Sequence, residues 1–238
     1  PKDSVVSMEI FLSNLLTEKG KWNTKEIYAK NKPGDIYEYS NIGTTLAAFV
    51  IEKATGETFD KFTTKHILKP LKMNASGWHF EDIDFANYSK LYENPKTVLP
   101  FYSMVSYPDG NFITSINDLS LYLTELIKGY NGNGTILSKE SFKEYFKPQL
   151  EAKNFLDRND KNPFSESFNV GIFIGFGYTG YIGHTGGDPG VGSMMFFDPK
   201  NNTGRILIIN TSFSDKIGND TFYGIWDKLE KYQTKLLN

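Results

Sequence analysis

The sequence predicts an α+β fold: a mainly helical region over residues 1–165, then an antiparallel meander closed by a C-terminal helix over 166–238, both parts of one domain. Three observations carry that prediction. Apolar residues recur at helical spacing through most of the first region, the period drops from about 3.6 to about 2 near Phe168, and the later strands are joined by short Gly- and Asn-rich connections. Connections that short link antiparallel neighbours. Helices followed by such strands give a layered α+β domain.

Taken in order, Ser7 precedes Met8, Phe11, Leu12, Leu15 and Leu16, which share one helix face, and Gly20 stops that helix. Pro33-Gly34 marks a turn, after which Tyr37 to Ser40 is irregular or extended. Asn41 opens the run Gly43 to Ala54, which Gly56 ends. Its small and aliphatic residues on every side predict a helix buried on most faces. Thr58 caps a segment to about Leu68, and Pro70-Leu71 begins a further helical turn. Residues 74–110 lack a steady period and predict loops with short strands.

Thr114 or Ser115 then caps a helix carrying Ile116, Leu119, Leu123 and Leu126 or Ile127 along one face and closed by Gly129. Ser138 to Phe146 reads as a capped helix halted by Pro148, and Glu151 to Pro163 as a charged loop. Val170, Ile172, Ile174 and Phe176 alternate with other residues as in a strand. Tyr178 to His184, Gly192 to Phe197 and Gly204 to Asn210 follow as strands, and Asp220 to Leu236 is a helix long enough to cover a sheet face.

Composition excludes several function classes. Lys and Arg total 26 against 28 Asp and Glu, a net charge of −2, so the basic excess that neutralises phosphates is missing and no nucleic-acid partner is expected. The longest apolar stretch, Leu46 to Ile51, is far short of the roughly 20 residues that span a bilayer, so no membrane span is expected. There is no cysteine, and His66, His79 and His184 have no helical zinc spacing, so no metal is expected. No phosphate-cradling glycine motif and no G-x-S-x-G elbow occur, and no cofactor is expected. The first residue is Pro1, which reads as a processed product or an excised part of a longer polypeptide.

Two clusters carry the chemistry that remains. Tyr39-Ser40-Asn41 sets a phenol and a carboxamide at a helix entrance. A phenol with a pKa near 10 becomes a base at neutrality only beside cations. His184-Thr185-Gly186-Gly187-Asp188-Pro189-Gly190 ends a strand and turns into the next, with glycines that admit a ligand close to the main chain and a Gly187 N–H able to stabilise an oxyanion. A third cluster, Thr114 to Leu119, reads as a helix cap with Asp118 near the positive dipole end.

Tyr39-x-Asn41, followed much later by His184-Thr185-Gly186, resembles the second and third signature elements of the penicillin-recognising serine hydrolases, in the branch of class C β-lactamases, D,D-peptidases and related esterases. Pro33-Gly34, Tyr39-Ser40-Asn41-x-Gly43, Ile51-Glu52-x-x-Thr55-Gly56, Ile67-x-x-Pro70-Leu71-x-Met73 and Gly183-His184-Thr185-Gly186-Gly187-x-Pro189-Gly190 all run in that family's order. The resemblance implies a β-lactamase/transpeptidase-like fold and a serine nucleophile on an S-x-x-K motif. No serine in the 238 residues is followed by that spacing of lysine, so the fold is expected to be N-terminally incomplete. His184 stands where lysine often stands, which implies a peptidase- or esterase-like member more than an efficient β-lactamase.

By the same resemblance, Tyr39 is a base or proton relay, Asn41 orients an acyl substrate, His184 and Thr185 contact its carboxylate or leaving group, and Gly186 and Gly187 line the oxyanion side. The implied substrate is a small amide or ester or a peptide, and the implied location is the bacterial periplasm, cell envelope or exterior. The segment alone is expected to be inactive. The rival expectation is a non-catalytic module binding cell-wall peptides or glycans, and a third is a fold completed by a missing N-terminal segment or by another chain.

Overall fold

Ser7 starts the first helix, α1 (Met8–Leu16), by accepting a bond from Ile10 N–H. The computed structural model describes residues 2–4, 6–155 and 180–237. The alternating segment at Val170 to Phe176, the charged loop beyond 155 and the start of the Tyr178–His184 strand lie outside those residues. The described chain forms two units, one within Pro1–Tyr88, Phe101–Ser115 and Lys153–Leu156, the other within Ser89–Pro100, Ile116–Ala152 and Asp157–Asn238.

In the first unit, Met8 and Leu12 of α1 pack on Ala48 of α2 (Asn41–Thr55), with Phe11, Leu16, Ile42, Phe49 and Phe59 around them. Ser40 caps α2 through Gly43 N–H at 3.0 Å, and Gly56 ends it at φ 73°, a left-handed cap that glycine takes without strain. The expectation of a helix buried on most faces fails. Only Thr45 and Ala48 are buried, whereas Leu46 and Val50 are 41% and 58% exposed. An all-round apolar helix needs cover on every side. Within this unit α1 and the turn at Tyr107–Asp109 cover only part, the latter through a 3.0 Å bond from Thr45 Oγ1 to Asp109.

The next helix, α3 (Phe59–Thr63), continues as a π-helical turn over Thr64–Leu68. Thr58 flanks it but makes no side-chain cap. Phe59 N–H donates instead to Glu52 at 2.8 Å and Asp60 N–H to the Tyr107 hydroxyl at 3.3 Å, so the cap comes from residues distant in sequence. Pro70-Leu71 opens a turn rather than a helix, with Lys72 at φ 60°.

In the second unit, a small hairpin of β1 (Tyr92–Asn94) and β2 (Thr97–Val98) is followed by α4 (Ile116–Tyr130) and α5 (Lys139–Phe146). Of the residues expected along one face of α4, Leu123 and Leu126 are buried, whereas Ile116 is 49% exposed. Gly129 does not close α4. It stays helical because Phe142 needs its space: a Cβ there would lie 2.3 Å from the ring, and one on Gly134 would lie 2.1 Å from it. The loop between the two helices is held by Glu125, 3% exposed, which accepts from the backbone N–H groups of Thr135 and of Ile136.

The main sheet is β3 (Ile182–Asp188), β4 (Val191–Asp198) and β5 (Thr203–Ile209), antiparallel in that order. The register sets Ile182 against Phe197, His184 against Met195 and Gly186 against Ser193, so these side chains share a face. On that face Ile182, Phe197 and Met195 pack with Leu123 and Leu126 of α4. The opposite face presents Met194 and Phe196 to Phe222 and Trp226 of α6 (Lys216–Lys235). The sheet is thus the middle of three layers, its α6 face fixed by Arg205. That guanidinium lies 4.7 Å from the Tyr181 ring and 4.4 Å from the Trp226 ring, with Glu230 Oε2 at 3.2 Å. A lysine has no flat face to stack on two rings at once.

The α6 helix begins a turn earlier than its apolar pattern predicts, because Asp215 caps it through Gly218 N–H at 2.6 Å. The larger correction concerns β3. The His184 to Asp188 run remains strand throughout, and only Pro189-Gly190 forms the turn, with Gly190 at φ 77°. Proline followed by a positive-φ glycine is the pairing a type II turn takes.

Burial holds several phenols neutral. Tyr37, Tyr88, Tyr107, Tyr122, Tyr145 and Tyr181 all have their pKa raised above the usual 10.0, in each case chiefly by desolvation. Below pH 10 both folded and unfolded forms keep these protons. Above it the unfolded chain loses them first, so stability is expected to fall as pH rises past about 10. Urea midpoints measured from pH 8 to 11 check this, and a flat profile would contradict it.

Candidate active site

The two sequence clusters fall in different units, and each is described in its own. In the first unit the loop before α2 is anchored by Asn154, whose Nδ2 donates to the carbonyls of Gly34 and Asp35 at 3.0 Å each and whose carbonyl accepts from Tyr37 N–H at 2.7 Å. Tyr37 stacks tilted on Phe155, ring centroids 5.6 Å apart. Two residues on, Tyr39 is 51% exposed. The helix cap is Ser40, which relieves Asn41 of that duty: Asn41 is the first helical residue, exposed, and its side chain makes no hydrogen bond among the described residues. A phenol and an amide therefore project from an anchored loop and a helix start.

In the second unit His184, half-buried on β3, bonds through Nδ1 to the Thr185 carbonyl. A carbonyl only accepts, so Nδ1 is the donor in that contact. Thr185, Gly186 and Gly187 are exposed. The glycines here differ in what they are for. A Cβ on Gly183 would lie 1.9 Å from the Met195 carbonyl, and one on Gly192 would lie 2.3 Å from the Phe213 ring, so packing requires both. Gly187 has nothing within 4 Å of that position and no positive φ.

The register also orients Gly187. Asp188 and Val191 are register partners flanking the two-residue turn, and residues flanking such a turn are the pair that exchanges ladder hydrogen bonds. Ladder alternation then turns the N–H of the next residue, Gly187, away from β4 to the outer edge of β3. Among the described residues nothing within reach of position 187 asks for glycine there.

The Thr114–Leu119 cluster is a helix start, with Asp118 buried in the first turn of α4. Among the described residues no group of His, Asp or Glu could hold a metal ion, and no helix is long and apolar enough to cross a membrane. Sequence reasoning passed over Ser193. Its signal was present: it is the one polar side chain in the Val191 to Phe197 run.

Residues 24–230 match the Beta-lactamase family. The chain belongs to that family. Among its relatives, PbpX of Bacillus subtilis (strain 168) is 24% identical over 193 residues, covering 79% of this chain and 44% of PbpX. Protein flp of Staphylococcus aureus (strain MW2) is 22% identical over 191 residues, covering 76% of this chain and 34% of flp. The chain thus spans less than half the length of these curated relatives.

Solved structures of similar fold include the D-amino acid amidase from Ochrobactrum anthropi SV3 complexed with L-phenylalanine amide. It has a TM-score of 0.67 at 20% identity and covers 98% of this chain and 66% of the amidase. The penicillin binding protein from Bacillus halodurans follows at TM-score 0.64 and 17% identity, covering 95% of this chain and 64% of that protein. The resemblance expected from the motifs and the α+β, β-lactamase-related fold are both borne out.

Proposed function

We propose that this Beta-lactamase family chain supplies two of the three working elements of a serine hydrolase that cleaves amides or esters through an acyl-enzyme. In this reading Tyr39 carries the proton to and from the nucleophile, Asn41 hydrogen-bonds the acyl group, and His184 and Thr185 contact its carboxylate or leaving group. The Gly187 N–H is half of the oxyanion hole and Gly186 lines that side. The observation that carries the reading is Gly187: a glycine within β3 with no positive φ and, among the described residues, open space where a side chain would stand. The nucleophilic serine and its lysine are not among the 238 residues, and the reading assigns them to polypeptide outside this sequence.

The test is a p-nitrophenyl ester offered to a chain that carries these residues together with an S-x-x-K segment. A burst of p-nitrophenolate equal to the enzyme concentration is expected, followed by slower turnover. No burst and no fluorophosphonate labelling would favour the binding-module alternative. In the same chain Gly187→Ala is expected to change stability by less than about 1 kcal/mol, because the added methyl meets nothing. Acyl transfer should drop on the order of 10²-fold, because the methyl narrows the approach to the donor. Equal losses in melting temperature and rate would contradict that separation.

A further inference from the structure

The geometry points to Ser193 as a residue that recognises the substrate, reading an amide or similar hydrogen-bonding group on the acyl portion beside the scissile bond. The argument starts from position 186. Side chains directly opposite in an antiparallel pair normally keep their Cβ atoms about 4.5–5.5 Å apart. Ser193 is directly opposite Gly186, yet its Oγ lies only 2.6 Å from the point a Cβ on 186 would occupy. The hydroxyl therefore leans across β4 onto β3, into space that exists because residue 186 has no side chain.

That space is on the same face as His184, two residues along β3. Farther along the face, beneath α4, it is apolar, formed by Ile182, Met195, Phe197 and Ile206, while Asp188 stands on it at the turn end. Ser193 is half-buried, and its hydroxyl makes no hydrogen bond among the described residues. A half-buried hydroxyl with no hydrogen-bond partner among the described residues, over a glycine in the outermost described strand of the sheet, is placed to bond a ligand lying along β3. A hydroxyl both donates and accepts, which suits a neutral amide better than a bare carboxylate.

This inference rests on the acyl-transfer reading above, and one experiment separates the two. In the chain carrying an S-x-x-K segment, kcat/KM is measured for p-nitrophenyl acetate and for the p-nitrophenyl ester of N-acetylglycine. Ser193→Ala is expected to lower the second by about five- to tenfold, the worth of one neutral hydrogen bond, and to leave the first unchanged. Ser193→Thr, which keeps the hydroxyl, should restore the ratio, and thermal melting should be alike in all three proteins. Equal change in both esters, or no change in either, overturns the role of Ser193 while acyl transfer stands. A parent protein that hydrolyses neither ester overturns both.

Discussion

Tyr39→Phe in a chain carrying an S-x-x-K segment is expected to lower kcat/KM for ester cleavage by about 10²–10⁴-fold, the range a positioned proton carrier contributes. The change removes one oxygen from a side chain that is half exposed, so little packing is lost with it. The surrounding loop keeps its own anchors, Asn154 to Gly34 and Asp35, and Ser40 still caps α2. Melting temperature should therefore stay near that of the parent while the rate collapses, and the pre-steady-state burst should slow by the same factor as turnover. A burst of unchanged rate would remove Tyr39 from the proton path. Combining Tyr39→Phe with His184→Ala tests whether the two act on one reaction. Groups working as a unit lose less together than the sum of their separate losses, whereas independent groups add.

Phe142→Ala is expected to cost about 3–5 kcal/mol of folding stability, the range for emptying a packed phenylalanine site. The ring is 1% exposed and stands in contact range of two glycines, Gly129 inside α4 and Gly134 in the loop before α5. Those glycines cannot close the void, since neither has a side chain to move into it. The coupling is testable. Gly129→Ala alone should be severely destabilising, because its methyl would enter the ring, but in the Phe142→Ala background much of that penalty should vanish. Denaturant midpoints of the four proteins measure the cycle, and additive effects would contradict the packing described.

How far the sequence could be read follows from where the forces are local. Helix starts were legible at Ser7 and Ser138, whose side chains each accept from a backbone N–H three residues on, but not at Asp215, which caps α6 the same way before residues with no apolar pattern. The start of α3 after Thr58 was legible, but the groups that satisfy its first N–H donors, Glu52 and Tyr107, are ones no local pattern reveals. Gly129 looked like a helix stop because glycine usually is one, and only the tertiary position of Phe142 explains its place inside α4. The β3 run looked like a turn because two glycines and a proline usually make one, but pairing with β4 keeps it extended to Asp188. The motif residues were recognisable from sequence order. What could not be read was the register that turns Gly187 outward and sets Ser193 over Gly186, because strand pairing is a relation between segments.

The seat of Trp226 gives the molecule an optical handle. It is 2% exposed between α6 and the sheet, beside the Arg205 guanidinium, and it is the one tryptophan of its unit; the other two, Trp22 and Trp78, belong to the first. A Trp22→Phe, Trp78→Phe variant would leave a single emitter whose spectrum shifts to the red when α6 leaves the sheet. Detachment of that helix then becomes visible as colour, apart from events in the first unit.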